Sequence, residues 1–187
     1  RILSRPPRAT EIDWHKVHLF WGDERWVSGS DRQSNYRMVH ETLLSHISIP
    51  PDNVHPVNTS LDSPEKAAAA YAAEIRAAFG LAEGGVPVFD LIILGVGHDG
   101  HTASLFPGVP ALSGRDGICY AVEAPNGGGD RVTLGPEVLV HARRVIFIVT
   151  GRGKAEVVKR VLEGEDDYQQ LPAKIWKRIE GRVTWFL

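Results

Sequence analysis

The sequence predicts an α/β domain built on a doubly wound, mostly parallel sheet with helices on both faces. Three observations carry this. Two short runs, Val88–Leu94 and Val145–Val149, are almost wholly apolar, as strands buried on both faces are. Helical patterns alternate with these runs, which favours parallel strands joined by crossovers. Polar, glycine-containing clusters follow the strands, and in such sheets ligands bind beyond the carboxyl ends of strands.

Taken in order, Arg1–Pro7 reads as the tail of a helix stopped by prolines. Val17–Trp21 is a strand ended by Gly22. From Ser34 a helix places Tyr36, Val39, Leu43 and Leu44 on one face. Ser63-Pro64-Glu65 opens the clearest helix, with an N-cap serine, a first-turn proline and an acid at the positive end. Its alanine-rich body stops at Gly80. After the strand at 88–94, Ile118–Val122 and Arg131–Leu134 read as strands around the turn Asn126–Asp130. A short helix begins at Gly135-Pro136-Glu137. The strand Val145–Val149, a helix from about Lys154 to Leu162 and a strand Val183–Leu187 complete the chain. It holds no internal repeat or interdomain linker.

Bulk properties narrow the function. At 187 residues, with 43% apolar and 24% charged side chains, the chain suits one well-cored domain, spanning residues 1–187. A formal charge of −2 gives no reason to expect nucleic acid or an anionic membrane as partner. The single Cys119 excludes an internal disulfide and reads as a buried, inert thiol, which fits a cytoplasmic setting. No run reaches the length of a membrane span.

The chemistry concentrates in Gly95-Val96-Gly97-His98-Asp99-Gly100-His101, directly after the first apolar strand. Glycines let the backbone turn and approach a ligand, and an acid two residues from an imidazole orients a proton carrier. His101 is therefore the candidate base and Asp99 its orienting partner. His98 lacks such support and is expected to face solvent. A His98/His101 metal pair lacks further ligands, so no metal is expected. Asp23-Glu24-Arg25 follows a strand and balances between ligand contact and solvated turn. Gly151-Arg152-Gly153-Lys154 leads into a helix N-terminus, where backbone N–H groups and a lysine suit a phosphate. It is not a Walker loop, nor is Gly95-Val96-Gly97 a dinucleotide fingerprint.

Together these segments resemble the 6-phosphogluconolactonase family, within the glucosamine-6-phosphate isomerase/lactonase group. The matching pieces are Trp21–Val27 with Ser34-Asn35-Tyr36, Asp90–Pro107, Arg131–Leu134 and Gly151–Ala155. The resemblance implies a Rossmann-like fold and hydrolysis of 6-phospho-D-glucono-1,5-lactone, a step of the oxidative pentose phosphate pathway, without a cofactor. His101 and Asp99 would be catalytic; Asp23, Arg25, Gly97, Gly100, Arg131 and Lys154 would bind substrate. Phe106, where similar isomerases carry glutamate, and Arg25, where they carry tyrosine, favour lactonase over glucosamine-6-phosphate isomerase. A non-catalytic sugar-phosphate sensor is the other alternative. The partner is a small phosphorylated sugar lactone, and a monomer is expected. The family's first strand and phosphate loop find no counterpart, so residues 1–187 are expected to be a domain lacking both, less stable and prone to associate.

Overall fold

The computed structural model describes residues 2–114, 117–179 and 181–187. Residues 2–7 form turns, and helix α1 (Arg8–Glu11) starts only after Pro6-Pro7. The prolines thus open a helix instead of stopping one, since their fixed φ suits a first turn. Strand β1 (Leu19–Phe20) is shorter than expected, and β2 (Asp23–Arg25) follows directly across Gly22. Ser34 caps helix α2 (Asn35–Thr42), its hydroxyl accepting from the Arg37 N–H. Strand β3 (Val54–His55), which no apolar run announced, precedes helix α3 (Pro64–Phe79). Ser63 caps α3, and Gly80 closes it in the left-handed region at φ +60°.

Strand β4 is limited to Ile92–Leu94, followed by the glycine-rich loop. Next come β5 (Cys119–Glu123), β6 (Asp130–Leu134), helix α4 (Pro136–His141) and β7 (Val145–Ile148). A 3-10 turn over Arg152–Lys154 leads into helix α5 (Ala155–Glu163), and β8 (Val183–Phe186) ends the chain.

The strands form two parallel groups and one antiparallel one. Strand β1 pairs with β3, and β4-β7-β8 form a parallel sheet in that order. Strands β2-β6-β5 are antiparallel, because β5 and β6 are a hairpin around Asn126–Gly129. Helix α3 lies on β5 and β6, burying Ala67, Ala68, Tyr71 and Ile75. On the β4-β7-β8 sheet, Ile92, Leu94, Val145 and Phe147 are buried, whereas Ile93, Ile148 and Phe186 are exposed on the opposite face. Those runs therefore alternate in burial, although their sequence reads as apolar on both sides.

Among the described residues, β1 pairs only with β3, and β4 only with β7. A cleft of about 620 Å³ is lined by both of these strands and by the polar clusters that follow them.

Candidate active site

The loop after β4 builds around one imidazole. Asp99 Oδ1 lies 2.6 Å from His101 Nδ1 and also accepts the His101 backbone N–H at 3.1 Å. An ionised carboxylate only accepts, so Nδ1 carries the proton and Nε2 is left as the basic nitrogen. Gly97 lies under the ring: a Cβ there would land within the His101 imidazole. Gly100 takes φ +84°, a conformation glycine adopts without strain, and its carbonyl accepts from Ala173 N–H at 2.8 Å. The buried Phe106 ring stands 4.6 Å from the imidazole, centroid to centroid. His101 is thus fixed from three sides and lines the cleft.

Strand β2 supplies the facing wall. Alternation along a strand sends Asp23 and Arg25 to one face and Glu24 to the other. Asp23 and Arg25 line the cleft with Gly97, His101 and Lys154. Glu24 is buried at 2% exposure and does structural work. Its Oε1 accepts from the N–H groups of Arg25 and Asn35, and its Oε2 from the Tyr36 N–H and the Ser34 hydroxyl. A carboxylate at the positive end of α2 is well placed, so this acid ties β2 to the helix. The Asp23-Glu24-Arg25 run is therefore half cleft wall and half buried clamp, not a solvated turn.

Arg25 and Arg131 are register partners on β2 and β6. Arg25 Nη1 donates to Gln33 O and Arg131 Nη2 to Gly128 O, while the Nε of each is buried without a partner. Burial first, and the neighbouring Arg25 second, hold the Arg131 guanidinium below its ordinary value; Asp23 and Glu24 partly offset this. Two facing cations with unpaired buried donors suit an anion. Arg131 and Gly100 themselves lie outside the cleft lining.

Lys154 also lines the cleft and donates from Nζ to Val96 O at 2.6 Å. It therefore pins the loop as well as lining the site. The N–H groups of Gly97 and Gly100 are bonded within the loop, to His101 O and Gly97 O. His98 is exposed, as expected. Cys119 is half-buried, and burial pushes its thiol well above the ordinary range.

Sequence reasoning missed the buried Ser104, whose hydroxyl donates to Asp23 Oδ2 at 2.6 Å. It also missed Thr133, whose Oγ1 accepts from the Ser104 N–H at 3.2 Å. Their only signal was position, Ser104 within the glycine-histidine block and Thr133 within the Arg131–Leu134 piece.

The family described as "Glucosamine-6-phosphate isomerases/6-phosphogluconolactonase" matches residues 1–185. The chain belongs to this family. Within it, the chain is 39% identical over 176 residues to a 6-phosphogluconolactonase of Synechocystis, covering 94% of this chain and 72% of that protein. Among solved structures, a crystal structure of the devB protein superposes with a TM-score of 0.87 at 36% identity, covering 100% of this chain and 77% of the other. The 6-phosphogluconolactonase of Trypanosoma brucei superposes at 0.81 and 33% identity, covering 98% and 76%. The Rossmann-like α/β fold of the isomerase/lactonase family is thereby shown for this chain. No helix among the described residues is long and apolar enough to cross a membrane.

Proposed function

We propose that this chain hydrolyses 6-phospho-D-glucono-1,5-lactone to 6-phosphogluconate. The observation that carries the reading is the His101–Asp99 pair, fixed over Gly97 and facing a cleft whose opposite wall bears Arg25. The family relatives named 6-phosphogluconolactonase support the substrate class.

His101 Nε2 takes a proton from water as that water attacks the lactone carbonyl. Asp99 holds the ring in the Nδ1–H tautomer and stabilises the imidazolium that forms. The imidazolium then gives its proton to the departing ring oxygen. Arg25, which lines the cleft together with His101, is the cation for the oxyanion. Arg131, paired with Arg25, and Lys154 serve the phosphate, whose charge of about −1.5 to −2 favours cationic partners. Phe106 fills the place beside His101 that a second acid would need for ring-opening isomerisation.

The edges of β1 and β4 that no strand among the described residues pairs, both at the cleft, support the expectation that a further strand with a phosphate loop belongs between them.

Acid release followed at constant pH tests the mechanism. The parent chain is expected to exceed the spontaneous rate, His101→Asn to lose about 10²–10⁴-fold, and His98→Asn to remain near the parent. A folded His101→Asn variant with parental kcat would remove His101 from the reaction.

A further inference from the structure

The base and the arginine pair sit on separate sheets. His101 belongs to the loop after β4, in the parallel sheet, and Arg25 and Arg131 to the antiparallel β2-β6-β5. A lactone attacked by a base on one sheet while the arginines of the other meet its oxyanion and phosphate reacts only if the spacing between the two sheets is fixed. One buried side chain spans that junction directly. Ser104 is 1% exposed; its hydroxyl donates to Asp23 Oδ2 at 2.6 Å, and its N–H donates to Thr133 Oγ1 at 3.2 Å.

Asp23 and Thr133 are themselves register partners on β2 and β6. Two residues further along each strand, on the same face, the next such pair is Arg25 and Arg131. Ser104 thus plugs into the rung adjacent to the arginine rung, three residues after the base. The remaining hydroxyl of the block, on Thr102, turns back to Gly95 O at 2.9 Å and holds the loop to itself. Ser104 alone of the two reaches across.

We infer that Ser104 is a positioning residue, setting the distance between His101 and the Arg25/Arg131 rung. It lies outside the cleft lining and acts through Asp23 and Thr133. The inference rests on the hydrolase reading above. Losing the bridge leaves the phosphate partners in place and lets the base drift, so chemistry suffers more than binding.

Ser104→Ala separates these effects. Expected is a drop in kcat of about ten- to a hundredfold, the scale of one hydrogen bond to a charged group. KM and the affinity for inorganic phosphate, measured by calorimetry, are expected to change by less than about threefold, because Arg131 and Lys154 are untouched. The acid limb of the kcat/KM profile keeps its position, since the His101–Asp99 pair is untouched. Ser104→Cys, close in size and a weak donor, is expected to fall between parent and alanine. An active parent with Ser104→Ala equal to it in kcat, at a temperature where both are folded, overturns the positioning role alone. Equal losses in kcat and phosphate affinity overturn it too, by making Ser104 part of the binding site's general framework. A parent with no lactone hydrolysis overturns the functional reading and this inference together.

Discussion

His101 and Lys154 show how one side chain's neighbours decide what its loss does. Asp99, Gly97 and Phe106 fix the imidazole, so its removal deletes a proton carrier and little else. Lys154 has two tasks, lining the cleft and holding Val96 O, whereas Arg131 holds only the Gly128 carbonyl beside Arg25. Arg131→Ala is therefore expected to raise KM by roughly ten- to a hundredfold with a smaller change in kcat, one charged hydrogen bond being worth about 1.5–3 kcal/mol. Lys154→Ala is expected to lower kcat as well, because the catalytic loop loses its anchor. Steady-state kinetics on the two variants check this. Parental affinity of both for 6-phosphogluconate would remove them from the phosphate site.

At the level of elements, helix α3 is joined to the end of β1 through a buried phenol. Tyr71 accepts the Trp21 N–H at 2.7 Å and donates to Trp21 O at 3.1 Å, and burial pushes its ionisation well above the ordinary range. In the unfolded chain that phenol ionises near pH 10. Its contribution is thus complete below about pH 10 and is lost as pH rises beyond it, where the unfolded chain binds fewer protons. Tyr71→Phe is expected to cost about 1–3 kcal/mol near neutrality, by leaving the buried Trp21 groups unpaired, and to flatten the alkaline fall in stability. Urea titrations at pH 7 and pH 10.5 measure both. An unchanged alkaline slope in the variant would assign that fall to other groups. The cap of α3 is a simpler case: Ser63→Ala is expected to cost about 0.5–2 kcal/mol, read as a shift in urea midpoint, and no shift would mean that the bond from Lys66 N–H contributes nothing.

The element order was legible because its signals are local. Ser63 caps the helix it was expected to cap, α2 begins at Ser34 where a helix was expected, and Gly80 ends α3. His101 with Asp99 was legible for the same reason, being two residues apart in a glycine turn. What escaped was long-range. Ser104 meets Asp23 across 81 residues, and Glu24 meets the start of α2 only once β2 has formed. The antiparallel pairing of β5 and β6 also depends on partners, which a short apolar run does not name. Strand β3 went unseen because two residues, Val54 and His55, carry no period.

For the whole molecule, the consequence is an open side. Ile93, Ile148 and Phe186 share one exposed sheet face, and β1 and β4 have edges that no described strand pairs. Exposed apolar edges invite pairing with another chain. A protein made of Arg1–Leu187 alone is accordingly expected to associate as concentration rises; sedimentation showing a monomer at every concentration would mean these edges are protected.

Whether the chain hydrolyses the lactone or isomerises the sugar has a direct test. One paired assay of the full chain decides it, following acid release from 6-phosphogluconolactone and ammonia release from glucosamine 6-phosphate. Acid above the spontaneous rate and no ammonia are expected, because Phe106 stands beside His101 where ring-opening isomerisation needs an acid. Ammonia release, or no acid above background, would contradict the hydrolase reading.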